Sequence, residues 1–424
     1  MWRRRAGLLC LALSPVLLLA ATAADPLGDG EWYTLVGANP SRAILHTVLL
    51  HWAWVLLVPG IWALLSPIRD GRGKVLTRIV WVAATFGLAT FAGLVLTDVT
   101  GVAVAETADA AANVRMDEQV GSYPWLTWAW QLPGTIGWAV SLVLPGIAAS
   151  RGRVLGWWYA AAAGAGGVLY FLFAIEPGLS LLGPAVMMVA NLVAVIRLWS
   201  AEVPDAAPDP FRQRIGIACL AAAPVALGVG AATMPGGPTH IAAFSSSPGL
   251  AQASAFFLHL SWLLFIPGVL AVLRRVPRGR FAFTAGAVAL LGLLNFNGLM
   301  VGDYIALAAE QTLTPAQQEA ATAATESYTL FPLAVAMPAM LLSLLGLILV
   351  PIAAARAGLV RWPVPVVTGV GVVAFLMLTT GRVTGLVAPV ILLVGYGLLA
   401  RALNRPPAPA HSVSAATPAF GSAS

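Results

Sequence analysis

Apolar residues run through this chain in long unbroken blocks, not in the alternation of a half-buried strand or the narrow stripe of a surface helix. Blocks of this length match the roughly 20 residues that a helix needs to cross the hydrocarbon core of a bilayer. Twelve spans are expected: six at 7–24, 44–66, 78–99, 128–149, 154–175 and 179–199, and six at 213–233, 252–273, 281–302, 330–352, 362–380 and 384–402. Inside lipid only helices and closed barrels satisfy every backbone polar group, and uninterrupted blocks exclude a barrel. The fold class expected is therefore an all-α integral membrane protein.

The blocks repeat. CLALSPV at 10–16 returns as CLAAAPV at 219–225, five of seven residues agreeing at one offset. HWAWVLLVPG at 51–60 returns as HLSWLLFIPG at 259–268, with His, Trp and Pro-Gly at identical spacing. LTDV at 96–99 returns as VGDY at 301–304, which pairs Asp98 with Asp303. From each aspartate it is 24 residues to a Ser-Tyr pair, and ten more from that tyrosine (Tyr123 or Tyr328) to a proline, Pro133 or Pro338. The sequence thus reads as two tandem copies of one six-helix unit, 1–199 and 213–403. They are joined by a cytoplasmic linker at 200–212 and followed by a Pro/Ala/Ser-rich, disordered cytoplasmic tail at 404–424. An even number of spans per unit keeps both units in one orientation, related by a pseudo-two-fold axis along the membrane normal.

The repeat changes how the first block is read. MWRRR, a short apolar run and ATAAD have the form of a secretory signal peptide. The second CLA-x-x-PV lies mid-chain, however, so the first is expected to be a retained transmembrane helix.

Composition and charge then fix the surroundings. Only 9% of the 424 residues are charged, against about 25% in soluble proteins. Twenty of the 23 basic residues fall in segments on one side of the expected spans, and only Arg42, Arg115 and Arg382 on the other. The positive-inside rule makes the first side cytoplasmic, with both termini inside. The net charge of +6 therefore reports orientation in a bilayer, and no nucleic-acid partner is implied. Trp125, Trp128 and Trp130 suit the outer interface, and Trp157, Trp158, Trp199 and Trp362 the inner one. The arginine-rich composition, with Lys74 as the single lysine, points to a bacterial plasma (inner) membrane. Both long segments between spans three and four are expected as outer loops. The second holds a short helix starting at Thr314-Pro315.

Titratable groups at membrane depth are costly and mark function. His51 and His259 lie about two turns inside the outer ends of spans two and eight, and Asp98 and Asp303 at the outer ends of spans three and nine. Each aspartate is expected beside the histidine of its unit, where a carboxylate orients an imidazole that carries a proton or binds a metal. Glu176 has Arg382 as its counterpart, an acid facing a base, so six residues are expected to form a polar ring in the outer leaflet. Pro59-Gly60 and Pro267-Gly268 are expected to kink their spans. Cys10 and Cys219, both in apolar stretches, form no disulfide framework.

These features read first as a secondary transporter of a small molecule, with His/Asp pairs coupling protons to the rocking of two units. Two other classes stay open on the sequence. One is a membrane redox protein with haem or a metal ion held by His51 and His259, one from each unit. The other is an enzyme acting on lipid or envelope precursors at the outer face, with Asp98 or Asp303 as general base.

Overall fold

The structure is a computed structural model that describes residues 2–28, 31–68, 71–201, 209–236, 244–378 and 384–405. Arg382, most of the expected linker and nearly all of the expected tail lie outside the described residues. What is described is helical throughout, with no strand. Ten helical segments are long and apolar enough to cross a bilayer by length and composition, and two apolar helices, Trp157–Phe173 and Pro363–Met377, are shorter. So many apolar helices indicate a polytopic membrane protein.

Through the first half, α1 (Trp2–Ala24) is followed by a short α2 (Trp32–Ala38) and the long α3 (Pro40–Leu65). A single helical stretch, Gly71–Thr107, then contains α4 (Lys74–Val82), a π turn at Ala83–Leu88, α5 (Ala89–Leu94) and, after a break, α6 (Thr97–Thr107). Helix α7 (Ala110–Gly121), the one-turn α8 (Pro124–Leu126) and a π turn at Thr127–Gln131 lead into α9 (Leu132–Arg151), α10 (Trp157–Phe173) and α11 (Leu182–Trp199).

The second half follows. It runs α12 (Pro210–Thr233), α13 (Pro248–Arg275), α14 (Arg280–Leu299), α15 (Gly302–Thr312), α16 (Pro315–Ser327), a π turn at Pro332–Ala336, α17 (Met337–Arg356), α18 (Pro363–Met377) and α19 (Val387–Leu403).

Small residues set how closely the spans approach, as expected where lipid offers no hydrophobic gain for helix pairing. A Cβ added to Gly7 would lie 2.5 Å from Ala63 Cβ and 2.9 Å from Pro59 O, so α1 and α3 touch backbone to backbone. Gly216 on α12 stands the same way against Pro267 and Ala271 of α13. The two Pro-Gly pairs fall inside helices that run continuously from 40 to 65 and from 248 to 275, with Gly60 packed on Leu11 and Gly268 on Leu220. Their work is close approach of neighbouring helices.

The segments expected as outer loops are mostly helical. Helices α6, α7, α15 and α16 form a second apolar core with Val36, Ile44, Met116, Tyr123, Trp130 and Tyr304. The helix expected after Leu313 forms with a capping box: Gln317 N–H donates to the Thr314 hydroxyl, and Thr314 N–H donates back to the Gln317 side chain.

Candidate functional site

The buried polar groups that join the two halves gather around two imidazoles. His51 on α3 and His259 on α13 are both buried. His51 Nδ1 lies 2.8 Å from the carbonyl of Ala92 in its own half, and His259 Nδ1 lies 3.1 Å from that of Asn297 in its own half. Ala92 and Asn297 are 205 residues apart, the spacing that also separates Asp98 from Asp303. The second nitrogens reach across. His51 Nε2 lies 2.8 Å from Asn295 Oδ1, and His259 Nε2 lies 3.2 Å from Thr90 Oγ1. Thr90 and Asn295 are again 205 positions apart.

The helices that present these partners cross at Gly93 and Gly298. A Cβ on Gly93 would lie 2.5 Å from Gly298 Cα, so only hydrogen atoms fit between α5 and α14 at that point. Close contact there brings each histidine within reach of the other half.

The two sites differ in chemistry. Asn295 Nδ2 donates to Leu291 O at 2.6 Å, one turn back on its own helix. Its Oδ1 is thereby left as the atom facing His51. His51 consequently stands between two acceptors, the Ala92 carbonyl and the Asn295 amide oxygen. A neutral imidazole supplies one N–H, so both contacts are hydrogen bonds only while the ring carries a second proton. His259 faces one carbonyl and the hydroxyl of Thr90, which can donate to Nε2, so its neutral ring is satisfied at both nitrogens. Trp130 lies over His259 with centroids 3.6 Å apart and planes at 22°, and donates from Nε1 to Thr90 O at 3.1 Å.

The aspartates stand elsewhere. Neither makes an ion pair with its histidine, whose ring nitrogens are already taken. Asp98 comes six residues after Ala92, about 9 Å along a helix and two-thirds of a turn around it. The helix also breaks at Val95-Leu96 before it reaches Asp98. Asp98 and Asp303 each sit in the first turn of a helix, α6 and α15, where their own N–H groups donate to Val95 O and Met300 O of the preceding turn. The expected His–Asp pairs are thus replaced by His–amide and His–hydroxyl contacts across the halves. Glu176 is exposed in the turn after α10, and its expected partner Arg382 lies outside the described residues, so no six-membered ring is described.

The residues also fit haem or a metal poorly. All four ring nitrogens of His51 and His259 are engaged by protein groups. Among the described residues, no cluster of three or more His, Cys, Asp or Glu side chains could hold a metal ion.

Several participants escaped the sequence reading. Trp130, expected at the outer interface, is fully buried, while Trp128 beside it is 69% exposed. Asn295 and Asn191, both suited by sequence to hydrogen bonding between helices, do so in different places: Asn295 at the seam between halves, and Asn191 as the acceptor from Tyr159 inside the first half. At the outer end, Tyr123 donates to Gln311 Oε1 at 2.7 Å and Tyr328 to Glu106 Oε2 at 2.6 Å, again at positions 205 apart and again across the halves. A separate outer cluster forms where α1 ends. Arg42 donates to the carbonyls of Ala23, Ala24 and Asp25, and His46 Nδ1 lies 2.8 Å from Ala21 O and 3.9 Å from the Asp25 carboxylate. Burial pushes the Asp25 carboxyl above the usual carboxylate range, against the pull of His46 and Arg42.

Set against known proteins, the chain matches no family, no curated sequence and no solved structure.

Proposed function

We propose that this protein is a secondary transporter of a small molecule, coupled to protons. It is built from two tandem six-helix units, 1–199 and 213–403, that share one orientation about a pseudo-two-fold axis. Twelve spans cross the bacterial plasma membrane, with both termini in the cytoplasm. The observation that carries this reading is the position of His51 between two acceptors, one in each unit.

Gain of a proton by His51 completes the bond to Asn295 and ties α3 to α14. Loss of that proton leaves two acceptor-facing positions with one N–H between them, and the tie weakens. The second site, where Thr90 of the first unit stands in place of the amide, holds His259 whether or not a proton arrives. The seam is therefore one proton-dependent contact beside one proton-independent contact. This asymmetry supports a coupling role for His51 within an otherwise matched pair. Asp98, Asp303 and Glu176 line the outer end of the same bundle and stand on the route a proton or solute takes to the seam. Arg382 is assigned to that route by its place in the sequence. The outer links Tyr123–Gln311 and Tyr328–Glu106 close the seam above the histidines, which suits a bundle whose halves separate and rejoin.

The test is reconstitution of the full chain into vesicles loaded with a pH-sensitive dye and presented with a panel of small organic acids, amino acids and sugars. At least one solute is expected to drive a pH change. His51→Gln is expected to abolish that change while leaving the protein folded, as judged by its thermal transition in detergent. Solute flux that leaves internal pH constant in the wild type would remove the proton-coupled reading. A pH response that survives His51→Gln would remove His51 from it.

A further inference from the structure

At the end of the bundle opposite the tyrosine links, a cleft of about 910 Å³ opens between the turn at 71–73, the turn at 150–157 and the end of α11. Arg72, Arg151, Arg153 and Arg197 line it, above a floor that includes Leu155 and Leu198. No carboxylate is among the described lining residues, and none of the four guanidinium groups has an acidic partner among the described residues. Four cations brought to one concave surface by three separate segments repel each other, and an anion between them removes that cost.

The turn that bears Arg151 and Arg153 has a defined backbone geometry. Arg153 is the one described non-glycine residue at positive φ, 56°. The position 205 residues on is Gly358, with φ of 71°, so the second half makes the same turn with the residue that tolerates it. The conformation closes α9 as a helix C-terminus: Arg153 N–H donates to Ser150 O and Val154 N–H to Ala149 O. The turn itself is pinned: a Cβ on Gly73 would lie 3.2 Å from Gly152 Cα, which fixes Arg72 against the segment that bears Arg151 and Arg153. Arg197 is steadied by the Trp158 ring 5.0 Å from its guanidinium carbon, and Trp157 at the mouth is 62% exposed.

We infer that this cleft binds a phosphate-bearing anionic group, with Arg72, Arg151, Arg153 and Arg197 as its donors. Guanidinium forks match phosphate oxygens bidentately, and basic pockets between spans at the cytoplasmic face suit anionic headgroups. Two sources offer this chemistry, the headgroup of a membrane phospholipid and a soluble phosphorylated compound. The interfacial Trp157 and the apolar floor favour the lipid.

The experiment uses the purified full chain in neutral detergent, with its thermal transition followed as phosphatidylglycerol, phosphatidylcholine or pyrophosphate is added. Phosphatidylglycerol is expected to raise the transition in a saturable way and phosphatidylcholine to leave it unchanged. In the double variant Arg151→Gln/Arg153→Gly the apparent affinity is expected to fall by about tenfold or more. Glycine accepts the turn geometry at 153, so that variant keeps the fold. Arg361→Gln, which removes an exposed charge outside the cleft, is expected to bind as the wild type does. Saturable stabilisation by pyrophosphate that the double variant loses upholds the phosphate site and assigns it to a soluble ligand. Equal stabilisation of the double variant and the wild type overturns the site, as does failure of both anions to stabilise the wild type beyond phosphatidylcholine.

Discussion

Gly93 and Gly298 meet backbone to backbone where α5 crosses α14: a Cβ added to Gly298 would lie 2.8 Å from Gly93 Cα. The hydrogen-bond partners that the two imidazoles find in the opposite half, Thr90 and Asn295, lie on these same two helices, three positions before the glycines. Gly93→Ala and Gly298→Ala are expected to force the helices apart and destabilise the fold by about 1–3 kcal/mol, as overpacking does elsewhere. Gly101→Ala on α6 is the control, because its nearest neighbour, Asn113 Oδ1, is 3.9 Å away. Its effect is expected to stay within about 0.5 kcal/mol. Thermal unfolding in detergent reads all three, and an unshifted transition in Gly93→Ala would remove the glycine contact as the determinant of the seam.

Exchanging the amide at 295 for a hydroxyl makes the first imidazole site resemble the second. Asn295→Thr is expected to leave His51 satisfied as a neutral ring, because the new hydroxyl can donate where the amide oxygen only accepts. Ring-nitrogen NMR on histidine-labelled protein checks this. With the His51 signal assigned by its loss in His51→Gln, the wild type is expected to show that imidazole with both nitrogens protonated at acidic pH, and Asn295→Thr to shift that protonation to lower pH. Identical titrations in the two proteins would contradict the acceptor-pair account of His51.

Much of this seam was legible in the sequence, and the reason for the rest is specific. The spacing HWAW…PG repeated as HLSW…PG singled out His51 and His259, and LTDV against VGDY singled out the aspartates. Asn295 reads from the sequence, with Asn191 and Asn297, as suited to hydrogen bonding between helices, but its partner was not legible and Thr90 was missed, because each lies across the bundle from the histidine it serves, 244 and 169 residues away in sequence. The available signal was the 205-residue offset itself, which sets one polar residue of each half against the other three positions before a glycine. Trp130 was misplaced for a different reason. Aromatic residues at 125, 128 and 130 read as an interfacial belt, but residues two apart on a helix point to nearly opposite faces, about 200° around the axis, whereas residues three apart share one. Trp130 then faces inward and Trp128 outward. The expected His–Asp pairing failed because spacing along a helix fixes depth only when the helix is unbroken, and the chain breaks at Val95-Leu96.

The outer links are expected to act as a matched pair. Burial, opposed by a hydrogen bond from Gln119 and aided by the charge of Glu310, pushes the Tyr123 phenol up to about 12. Burial and the neighbouring Glu106 carboxylate raise Tyr328 as well. Both phenols therefore remain protonated donors across the physiological range. Tyr123→Phe is expected to cost about 0.5–1.5 kcal/mol as a neutral link, and Tyr328→Phe toward the upper end because its acceptor is a carboxylate. A double-mutant cycle of Tyr328→Phe with Glu106→Gln measures the coupling, and purely additive effects would show that the contact contributes nothing to stability.

At the opposite end, Arg78 on α4 holds Asp209, the residue that caps α12. Arg78 donates from Nε and from its terminal nitrogen to the two carboxylate oxygens at 3.2 and 2.7 Å, and Phe211 N–H donates to the same carboxylate. Partial burial alone would raise the Asp209 carboxyl, but the bonds from Arg78 and Phe211 and the charges of Arg78 and Arg212 outweigh it and hold the group below its ordinary 3.8. A carboxyl depressed in the fold binds its proton more readily when unfolded, so its contribution is fully present above about pH 4 and is lost as pH falls through the folded value. The pair is partly solvated, with 26% of the Asp209 side chain exposed, which limits the contribution to about 1 kcal/mol or less. The thermal transition is expected to drop between pH 5 and pH 3 more steeply in the wild type than in Asp209→Asn, which lacks the titrating group but keeps a cap for α12. Added salt is expected to narrow the difference, since exposed charges are screened. Parallel pH profiles for the two proteins would show that Arg78 and Asp209 do not clamp the start of the second half to α4.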